Sequence, residues 1–305
     1  MDNNYKFKLS ICVITMNRSA QIKEALQSCL DCELPESTEF VIIDNASTDD
    51  TEFTVKETLQ DCGYSFYYEK LPENLGVGGG RNYAYDKADG EYVYMLDDDA
   101  IIDTENNSEF FTRALSIMHQ YPDVVTLTTQ IYDTAWEKNR LDVSGVKITN
   151  EIYKCKMFCG GSHFLRTAFF ESSPYLSNKY GYEEIPPSLY VIDSAKINAF
   201  CPDIRIIHKP AINKWDYNDE KNHALLVKEI ALPYAIKRMI YPKIFIPLLN
   251  LAKWRRIKIY ASQIPNFKDR VNIAIKDFCN EYPLKNKIRF KTVIRMFFDF
   301  GLSIF

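Results

Sequence analysis

The fold is decided by a short stretch, Tyr92-Val-Tyr-Met-Leu-Asp-Asp-Asp99, in which an apolar run ends directly in three aspartates. Such a run predicts a strand that is buried on both faces, as in a parallel sheet. Three adjacent carboxylates repel one another unless a cation neutralises them. Carboxylate oxygens suit Mg²⁺ and Mn²⁺, which commonly bridge to phosphates. A solvated acidic turn or a cluster at a helix N-terminus is the structural alternative.

Two earlier runs have the same form, a buried strand that ends in polar residues. One is Leu9-Ser-Ile-Cys-Val-Ile-Thr-Met-Asn-Arg18, and the other is Phe40-Val-Ile-Ile-Asp-Asn45. Each is followed by a segment with helical spacing, and this alternation predicts an α/β fold with a mostly parallel sheet flanked by helices. Ligands bind such sheets beyond the carboxyl ends of the strands. We therefore expect the three polar ends to meet in one crevice.

The other elements follow from periodicity and turn residues. We expect helices capped by Ser19 and by Thr48 or Asp49, a third strand over 64–71, a glycine-rich loop with a short helix over 74–88, a helix over 110–121, antiparallel strands over 124–131 and 143–158, a turn at 160–161, a helix from Pro186-Pro187 to about Phe200, and a last strand over 204–208. From about residue 218 the pattern is helical, with breaks at Pro233, Pro242, Pro247 and Pro265.

Three further groups are candidates for chemistry. In Asn74-Leu-Gly-Val-Gly-Gly-Gly-Arg-Asn82 the glycines would let the backbone approach a ligand, and Arg81 would offer a bidentate phosphate donor. This is not a dinucleotide loop, because Arg occupies position 81 and the loop follows the third strand. His208 ends a strand and is either structural or a metal ligand. Glu183-Glu184 is either a solvated turn or a catalytic base.

The charge is divided unevenly along the chain. Residues 1–204 hold 17 Lys/Arg and 33 Asp/Glu, a net charge of −16, whereas residues 205–305 hold 20 and 8, a net charge of +12. A basic C-terminal third indicates an anionic partner such as a membrane surface or nucleic acid. The alternative is that this segment docks on the acidic N-terminal part.

The spacing of the cysteines and the hydropathy of the chain indicate the cellular compartment in which the protein resides. Eight cysteines show no spacing typical of a zinc site, so we expect free thiols in a reducing cytoplasm. The N-terminus has no apolar signal core. The longest apolar run, 244–252, is far shorter than the roughly 20 residues that span a bilayer. We expect a cytoplasmic protein.

In order and spacing, seven blocks of this chain resemble the family 2 glycosyltransferases, over about residues 9–210. The blocks are Ile11-Cys-Val-Ile-Thr-Met-Asn-Arg18, Val41-Ile-Ile-Asp-Asn-Ala-Ser-Thr-Asp49, Glu73-Asn-Leu-Gly-Val-Gly-Gly-Gly-Arg-Asn82, Met95-Leu-Asp-Asp-Asp-Ala100, Phe158-Cys-Gly-Gly-Ser162, Tyr180-Gly-Tyr-Glu-Glu184 and Ile204-Arg-Ile-Ile-His208. The resemblance implies the GT-A fold, with a nucleotide-binding α/β domain over 1–215 and a basic, mainly helical extension over 216–305.

The resemblance also implies a role for each matched residue. The residues that would hold the nucleotide sugar are Thr15, Asn17, Arg18, Asp44, Asn45, Asn74, Gly80, Arg81, Asn82, Asp97 and Asp98. Asp99, Asp97 and His208 would hold Mn²⁺ or Mg²⁺, and Gly160, Gly161 and Tyr182 would lie on the acceptor side. The base matches Glu184. Ile185-Pro186-Pro187 departs from the usual continuation, which leaves Glu183 as the alternative base.

The expected activity is inverting transfer of a sugar from a UDP- or dTDP-linked donor. The acceptor would be a glycan or a lipid-linked glycan of the cell surface, and we expect no nucleic-acid partner. Two alternatives remain, a nucleotide-sugar-binding module without turnover and a nucleotidyltransferase or phosphatase on a similar sheet. The basic helices over 240–260 and 285–305 would either lie on an anionic membrane or pack on the catalytic domain.

Overall fold

A computed structural model of the protein describes residues 5–141, 146–179, 181–210 and 220–305. The domain boundary predicted at 215/216, residues 143–145 of a predicted strand and Tyr180 lie outside these ranges. The strands are β1 Phe7–Thr15, β2 Thr38–Asp44, β3 Ser65–Lys70, β4 Gly90–Asp97, β5 Ala100–Ile102, β6 Val124–Asp133, β7 Lys138–Asn139, β8 Tyr153–Lys154, β9 Ser162–Arg166 and β10 Ile197–His208. The helices are α1 Ser19–Leu30, α2 Thr51–Leu59, α3 Gly76–Lys87, α4 Phe110–Gln120, α5 Ile185–Asp193, α6 Glu220–Ile240, α7 Ile246–Tyr260, α8 Phe267–Glu281 and α9 Phe290–Phe300.

The strands form one sheet in the order β3-β2-β1-β4-β9-β6-β10-β5, with β7 paired to β6 and β8 to β10. Neighbours are parallel from β3 through β4 and again between β6 and β10. β9 is antiparallel to both β4 and β6. The predicted α/β fold with a mostly parallel sheet is confirmed.

The register of the strands decides where the site lies. Thr15 of β1 is opposite Asp44 of β2, while Ile14 is opposite Asp97 of β4. At the far side of the sheet, His208 of β10 is opposite Asp133 of β6. Because these strands run in the same direction, their carboxyl ends meet at a single edge of the sheet.

Helices cover both faces of the sheet. Ile11 and Val13 of β1 pack in the cluster that contains α1 and α4, whereas Cys12 between them packs in the cluster that contains α3. This alternation is the period-2 geometry of a strand that is buried on both sides. It explains why β1 is a continuous apolar run.

The predicted strand over 143–158 is wrong over its described residues. Only Tyr153–Lys154 is extended there, and it pairs with β10 rather than with β6. The strand next to β6 is instead β9, Ser162–Arg166, which the sequence analysis missed. β9 is short and contains Ser and His at buried positions, so it shows neither an apolar run nor an alternating pattern.

The helix that starts at Pro186-Pro187 ends earlier than predicted. Both prolines lie in its first turn as expected, but α5 stops at Asp193. Ala195 then has a φ of 62°, a left-handed conformation that a helix cannot continue through. Residues up to Phe200 therefore belong to β10, which begins at Ile197 instead of 204.

The predicted caps and the predicted break at Pro233 also need correction. α1 begins at Ser19 without a side-chain cap, although Asp49 does accept a hydrogen bond from the first residue of α2, Thr51 (3.2 Å). α6 runs through Pro233 without ending. Proline in a helix interior costs about 3 kcal/mol, and burial of neighbouring apolar side chains such as Ile230 and Ile236 offsets this cost.

The C-terminal helices α6 to α9 share a core of their own with α5. Ile185 and Leu189 of α5 pack in the same cluster as Ile230, Ile236 and Val271 of the C-terminal segment. Helices α6 to α9 therefore pack on the rest of the structure through α5. Among the helices of the described ranges, none is both long enough and apolar enough to cross a membrane.

Candidate functional site

The carboxyl edge of the sheet borders a cleft of about 620 Å³. It lies where β1, β2, β4 and β10 end, beside the segments that precede β9 and α5. The predicted site residues that line it are Thr15, Arg18, Asn45, Asn74, Arg81, Asp97, Asp98, Asp99, Gly160, Gly161, Tyr182, Glu183, Glu184 and His208. The four predicted residues outside this lining are Asn17, Asp44, Gly80 and Asn82.

The aspartate triplet occupies the floor of the cleft. Ligand atoms of Asp97, Asp99 and His208 all lie within 4.8 Å of one another. Two carboxylate oxygens and one imidazole nitrogen suit a divalent cation such as Mn²⁺, with positions left open toward the cleft for phosphate oxygens or water. The donor set present in the structure therefore fits the metal that the sequence predicts.

Arg18 pairs with the two aspartates that follow Asp97. Its Nη1 donates to Asp98 Oδ1 (2.8 Å) and to Asp99 Oδ2 (2.7 Å). Burial raises the pKa of Asp98 to about 6 even beside this cation. Burial alone would also raise the pKa of Asp99, but His208 and Arg18 outweigh it and hold that pKa below its usual value. The pKa is therefore raised at Asp98 and lowered at Asp99, although the two residues are adjacent.

His208 is held by groups that the sequence analysis missed. Its Nε2 lies 3.2 Å from Asp99 Oδ1, while its Nδ1 lies 3.2 Å from Asp133 Oδ2 and 2.9 Å from Arg140 Nη2. Asp133 is fully buried and also accepts from Arg140 Nε (2.8 Å). Arg140 can only donate, so Nδ1 accepts from Arg140 Nη2 in this arrangement and Nε2–H is directed at Asp99. Binding of a metal at Nε2 requires the other tautomer, in which Nδ1–H is donated to Asp133. The available signal was the position of Asp133 just after the predicted strand over 124–131.

Arg81 is a buried cation between two carboxylates. Its Nη2 donates to Asp97 Oδ1 (2.5 Å), and its Nη1 donates to Glu183 Oε1. A Cβ on Gly160 would lie 2.7 Å from Arg81 Nη1, so glycine is needed for the guanidinium to fit. Both ends of Arg81 are therefore engaged within the protein, and it connects Asp97 of the candidate metal site to Glu183 of the acidic pair.

The two members of the acidic pair have different surroundings. Both glutamates border the cleft, but Glu183 is bound by Arg81 and is almost completely buried, whereas Glu184 is in no ion pair within the described residues. Burial, followed by the charge of Glu183, raises the pKa of Glu184. A carboxylate that is raised in pKa and open to a cleft has the properties of a proton acceptor.

The glycines of 76–80 are needed for packing, and Gly76 also lines the cleft. A Cβ on Gly78 would lie 1.9 Å from the carbonyl oxygen of Leu176, and one on Gly76 would lie 2.6 Å from Lys179 Cα. A Cβ on Gly80 would meet Asn45 Nδ2 at 2.8 Å. The glycine-rich segment is thus mainly helix α3, in which Gly76 and Gly78 make room for residues 176–179 and Gly80 makes room for Asn45.

Three predicted ligand residues stabilise loops instead of lining the cleft. Asn82 donates to the Tyr175 carbonyl (2.8 Å) and accepts from the Tyr175 N–H (2.9 Å). Asn17 accepts from the Thr48 N–H (2.7 Å) and thereby connects the ends of β1 and β2. Asp44 is fully buried and accepts from the Tyr68 hydroxyl (2.7 Å).

Comparison with known proteins gives partial sequence matches. The chain is 31% identical over 113 residues to a GalNAc(5)-diNAcBac-PP-undecaprenol β-1,3-glucosyltransferase of Campylobacter jejuni, and the match covers 37% of this chain and 34% of that protein. It is 31% identical over 96 residues to the putative teichuronic acid biosynthesis glycosyltransferase TuaG of Bacillus subtilis, covering 32% of this chain and 37% of that one. The chain thus spans about a third of the length of these relatives.

Solved structures resemble nearly the whole chain. TarS of S. aureus, in complex with UDP-GlcNAc, matches with a TM-score of 0.63 and 17% identity, over 91% of this chain and 82% of that one. The mannosyltransferase PcManGT of Pyrobaculum calidifontis, in complex with GDP-Man and Mn²⁺, matches with a TM-score of 0.58 and 16% identity, over 97% and 80% of the two chains. At these identities the likeness establishes the shared GT-A fold.

The model of one sequence family, "Glycosyl transferase family 2", matches residues 10–171, just over half of the chain. The matched range contains the ends of β1, β2 and β4 that border the cleft. The chain belongs to glycosyl transferase family 2.

Proposed function

We propose that the protein transfers a sugar from a nucleoside-diphosphate donor to an acceptor hydroxyl with inversion at the anomeric carbon. One observation carries this proposal: a cation site at Asp97, Asp99 and His208 and a proton acceptor at Glu184 line the same cleft. The cation site would stabilise the negative charge of a diphosphate leaving group. The proton acceptor would take the proton of an attacking hydroxyl. Family membership supports the same activity.

The proposed reaction is a single displacement at the anomeric carbon. The acceptor oxygen forms a bond to this carbon while the bond to the diphosphate oxygen breaks, and its electron pair leaves with the nucleoside diphosphate. The acceptor proton passes to Glu184. Asp97, Asp99 and His208 would hold Mn²⁺ or Mg²⁺, which supplies positive charge to the leaving diphosphate. The imidazole ligand favours Mn²⁺ of the two.

Arg81 acts in this proposal as a positioning residue rather than as a phosphate donor. It holds Glu183 and Asp97 on either side of its guanidinium, and this arrangement fixes the acidic pair relative to the metal site. Lys179 borders the cleft on an exposed segment and is the better candidate for contact with the diphosphate. Asn45 and Asn74 would contact the nucleotide.

The donor is proposed to be UDP- or dTDP-linked. TarS was solved with UDP-GlcNAc and with UDP, which supports a uridine nucleotide. The C. jejuni relative is named for an undecaprenyl-diphosphate-linked substrate, and TuaG for teichuronic acid biosynthesis. We therefore propose an acceptor in cell-surface glycan synthesis that is carried on a lipid or on a growing glycan.

The proposed organisation has a catalytic domain over 1–215 and a helical extension over 216–305. Several large apolar side chains of the extension are exposed, including Trp254 at 54% and Phe298 at 81%, beside cations such as Arg255 and Lys291. Exposed apolar and basic side chains together suit the interface of an anionic bilayer. We propose a cytoplasmic enzyme that contacts the inner face of the cell membrane peripherally.

Hydrolysis and transfer assays with a panel of nucleotide sugars test the proposal. The full-length protein should release nucleoside diphosphate and free sugar slowly without acceptor, should stop in EDTA and should recover with Mn²⁺. A binding module would retain the nucleotide sugar without releasing sugar. A nucleotidyltransferase would instead make nucleotide sugar from a sugar phosphate and a nucleoside triphosphate, and that outcome would replace the proposal.

A further inference from the structure

A second cavity, of about 470 Å³, lies between α5, α6, α7 and the C-terminal residues. Its walls are mostly apolar, with Leu189, Leu248, Leu251 and Met296 among the lining side chains. The volume lies within the range of small-molecule sites, about 300–1,000 Å³. The walls belong to both the family fold and the extension, so the cavity depends on how the two pack together.

The cavity adjoins the proposed catalytic cleft. Tyr182 lines both of them and lies only two residues before Glu184. Its φ of 65° is in the left-handed region. Because Tyr182 lines both spaces, a molecule in the cavity could extend past it toward the proposed base.

Four cations also line this cavity, Lys156, Lys237, Arg255 and Arg256. Within the described residues, the ion pairs that join this region involve Lys154 with Asp299 and Arg289 with Asp193, so none of the four is neutralised at ion-pair distance. Burial, then the charges of Lys156 and Arg256, lowers the pKa of Lys237 to about 8.

Among the described residues, the carboxylate of Glu229 interacts with the charge of Arg256. Neither Asp nor Glu is among the residues that line the cavity, so its described lining carries an excess of positive charge. Lys237 is half-buried, whereas Lys156, Arg255 and Arg256 are exposed around it. Their like charges disfavour the charged form of Lys237, and a bound anion would balance them. A phosphate or diphosphate group attached to an apolar chain would satisfy both features of the site.

We infer that this cavity binds the phosphate-bearing head and the first part of the apolar chain of a lipid-linked acceptor, with the glycan directed past Tyr182 to Glu184. The inference rests on the proposed function and gives it an acceptor class. The mouth of the cavity is consistent with a chain that continues into a bilayer, because Leu248, Leu251 and Leu302 line it and remain 39%, 46% and 65% exposed.

Farnesyl diphosphate is a suitable soluble probe, and its binding to the full-length protein can be measured by calorimetry. Saturating UDP and Mn²⁺ should be present, so that the diphosphate cannot bind at the donor site. We expect farnesyl diphosphate to bind, and inorganic diphosphate and farnesol each to bind much more weakly. If inorganic diphosphate binds as tightly as farnesyl diphosphate, the site recognises only the anion, and the inference is wrong.

Three variants test whether farnesyl diphosphate binds in this cavity. Lys237→Met and Arg256→Met should each weaken it by about tenfold or more, the loss expected for one charge-assisted hydrogen bond. Ala252→Phe should weaken it by filling the cavity. Lys276→Met, an exposed lysine of α8 outside the cavity, is the matched control and should bind as the wild type does. Unchanged affinity in all three cavity variants would contradict the inference.

The two proposals can fail separately. If farnesyl diphosphate does not bind but donor hydrolysis remains dependent on metal and on Asp99, only the acceptor inference is lost. If farnesyl diphosphate binds only when UDP is absent, the lipid probe occupies the donor cleft and the cavity assignment is wrong. If neither nucleotide nor lipid probe binds, the proposed function itself is contradicted.

Discussion

Glu183 and Glu184 show how one step along the chain changes the chemistry available to a carboxylate. Glu183 is engaged by Arg81, whereas Glu184 borders the cleft without an ion pair within the described residues. The sequence indicated that the proposed base is either Glu183 or Glu184. It did not distinguish the two, because Ile185-Pro186-Pro187 departs from the usual pattern and left the start of the helix uncertain. The ion pair between Glu183 and Arg81, which lies about a hundred positions away in the sequence, favours Glu184 as the base.

The first prediction separates these two roles. Glu184→Gln should lower transfer by about 10²–10⁴-fold, the range for loss of a general base, with UDP binding and melting temperature retained. Glu183→Gln should lower the melting temperature, because Arg81 then remains buried with one carboxylate fewer. Activity and thermal melts on both variants measure this. A Glu183→Gln variant that loses transfer while Glu184→Gln keeps it would reverse the assignment.

The pH profile of the wild type offers a second check on Glu184. Its raised pKa means that the carboxylate is ionised only above a pH well over the ordinary value of about 4.3. A base must be ionised to accept a proton, so kcat/KM should rise as pH rises through this raised value. Glu184→Gln should remove that limb. A profile that is flat from acid to neutral pH would exclude Glu184 as the base.

A further residue-scale prediction concerns Asp133, which contacts His208 of the proposed metal site and pairs with Arg140. Asp133→Asn should weaken Mn²⁺ binding by about 10–100-fold, the usual effect of losing the group that orients a histidine ligand. Asp103→Asn is the control, since Asp103 is a buried aspartate paired with Arg205 outside the cleft. Calorimetric titration with Mn²⁺ compares them. Equal affinities in the two variants would remove Asp133 from this role.

At the scale of elements, sequence reasoning succeeded where a local pattern carries the information. The ends of β1, β2 and β4 were predicted because each is an apolar run that stops at polar residues. β9 was missed because it is a short central strand whose direction depends on its neighbours β4 and β6. The end of α5 was misplaced because the left-handed Ala195 has no signature in the sequence.

The glycines of α3 give the prediction at this scale. Gly78→Ala would gain about 1 kcal/mol of helix propensity, but its methyl group would collide with the Leu176 carbonyl. Overpacking of this kind typically costs about 1–3 kcal/mol, so net destabilisation is expected in urea unfolding. Gly79→Ala meets only the Leu75 side chain and should cost less. Stabilisation by Gly78→Ala would show that α3 does not pack on residues 176–179 as described.

At the scale of the whole molecule, the acidic and basic parts of the sequence correspond to two regions of the structure. The sheet with its flanking helices has one core, and helices α6 to α9 share another core with α5. The C-terminal helices pack on α5, as one of the two alternatives predicted, and yet they leave Trp254, Phe298 and other apolar side chains exposed. Packing on the catalytic domain and contact with a membrane are therefore compatible. The sequence could not reveal this, because the division of helix faces between core and surface is set by tertiary packing.

Co-sedimentation with phosphatidylglycerol vesicles tests the membrane contact in the full-length protein. Wild type should bind at low salt and less at high salt, because anionic headgroups attract the basic extension and salt screens this attraction. The double variant Trp254→Ser, Phe298→Ser should lose most of the binding. Phe53→Ser, at a position 68% exposed on α2, is the matched control. Equal binding by the two variants would contradict this surface.

We propose that the cleft at the ends of β1, β4 and β10 binds a nucleoside diphosphate together with a divalent metal. Calorimetric titration of UDP into the full-length protein tests this proposal, once with Mn²⁺, once with EDTA, and again with the Asp99→Asn variant. We expect UDP to bind with Mn²⁺ and to lose most of its affinity both in EDTA and in Asp99→Asn, although the variant still melts cooperatively. UDP affinity that is the same in EDTA and in Asp99→Asn as in the wild type with Mn²⁺ would contradict the account.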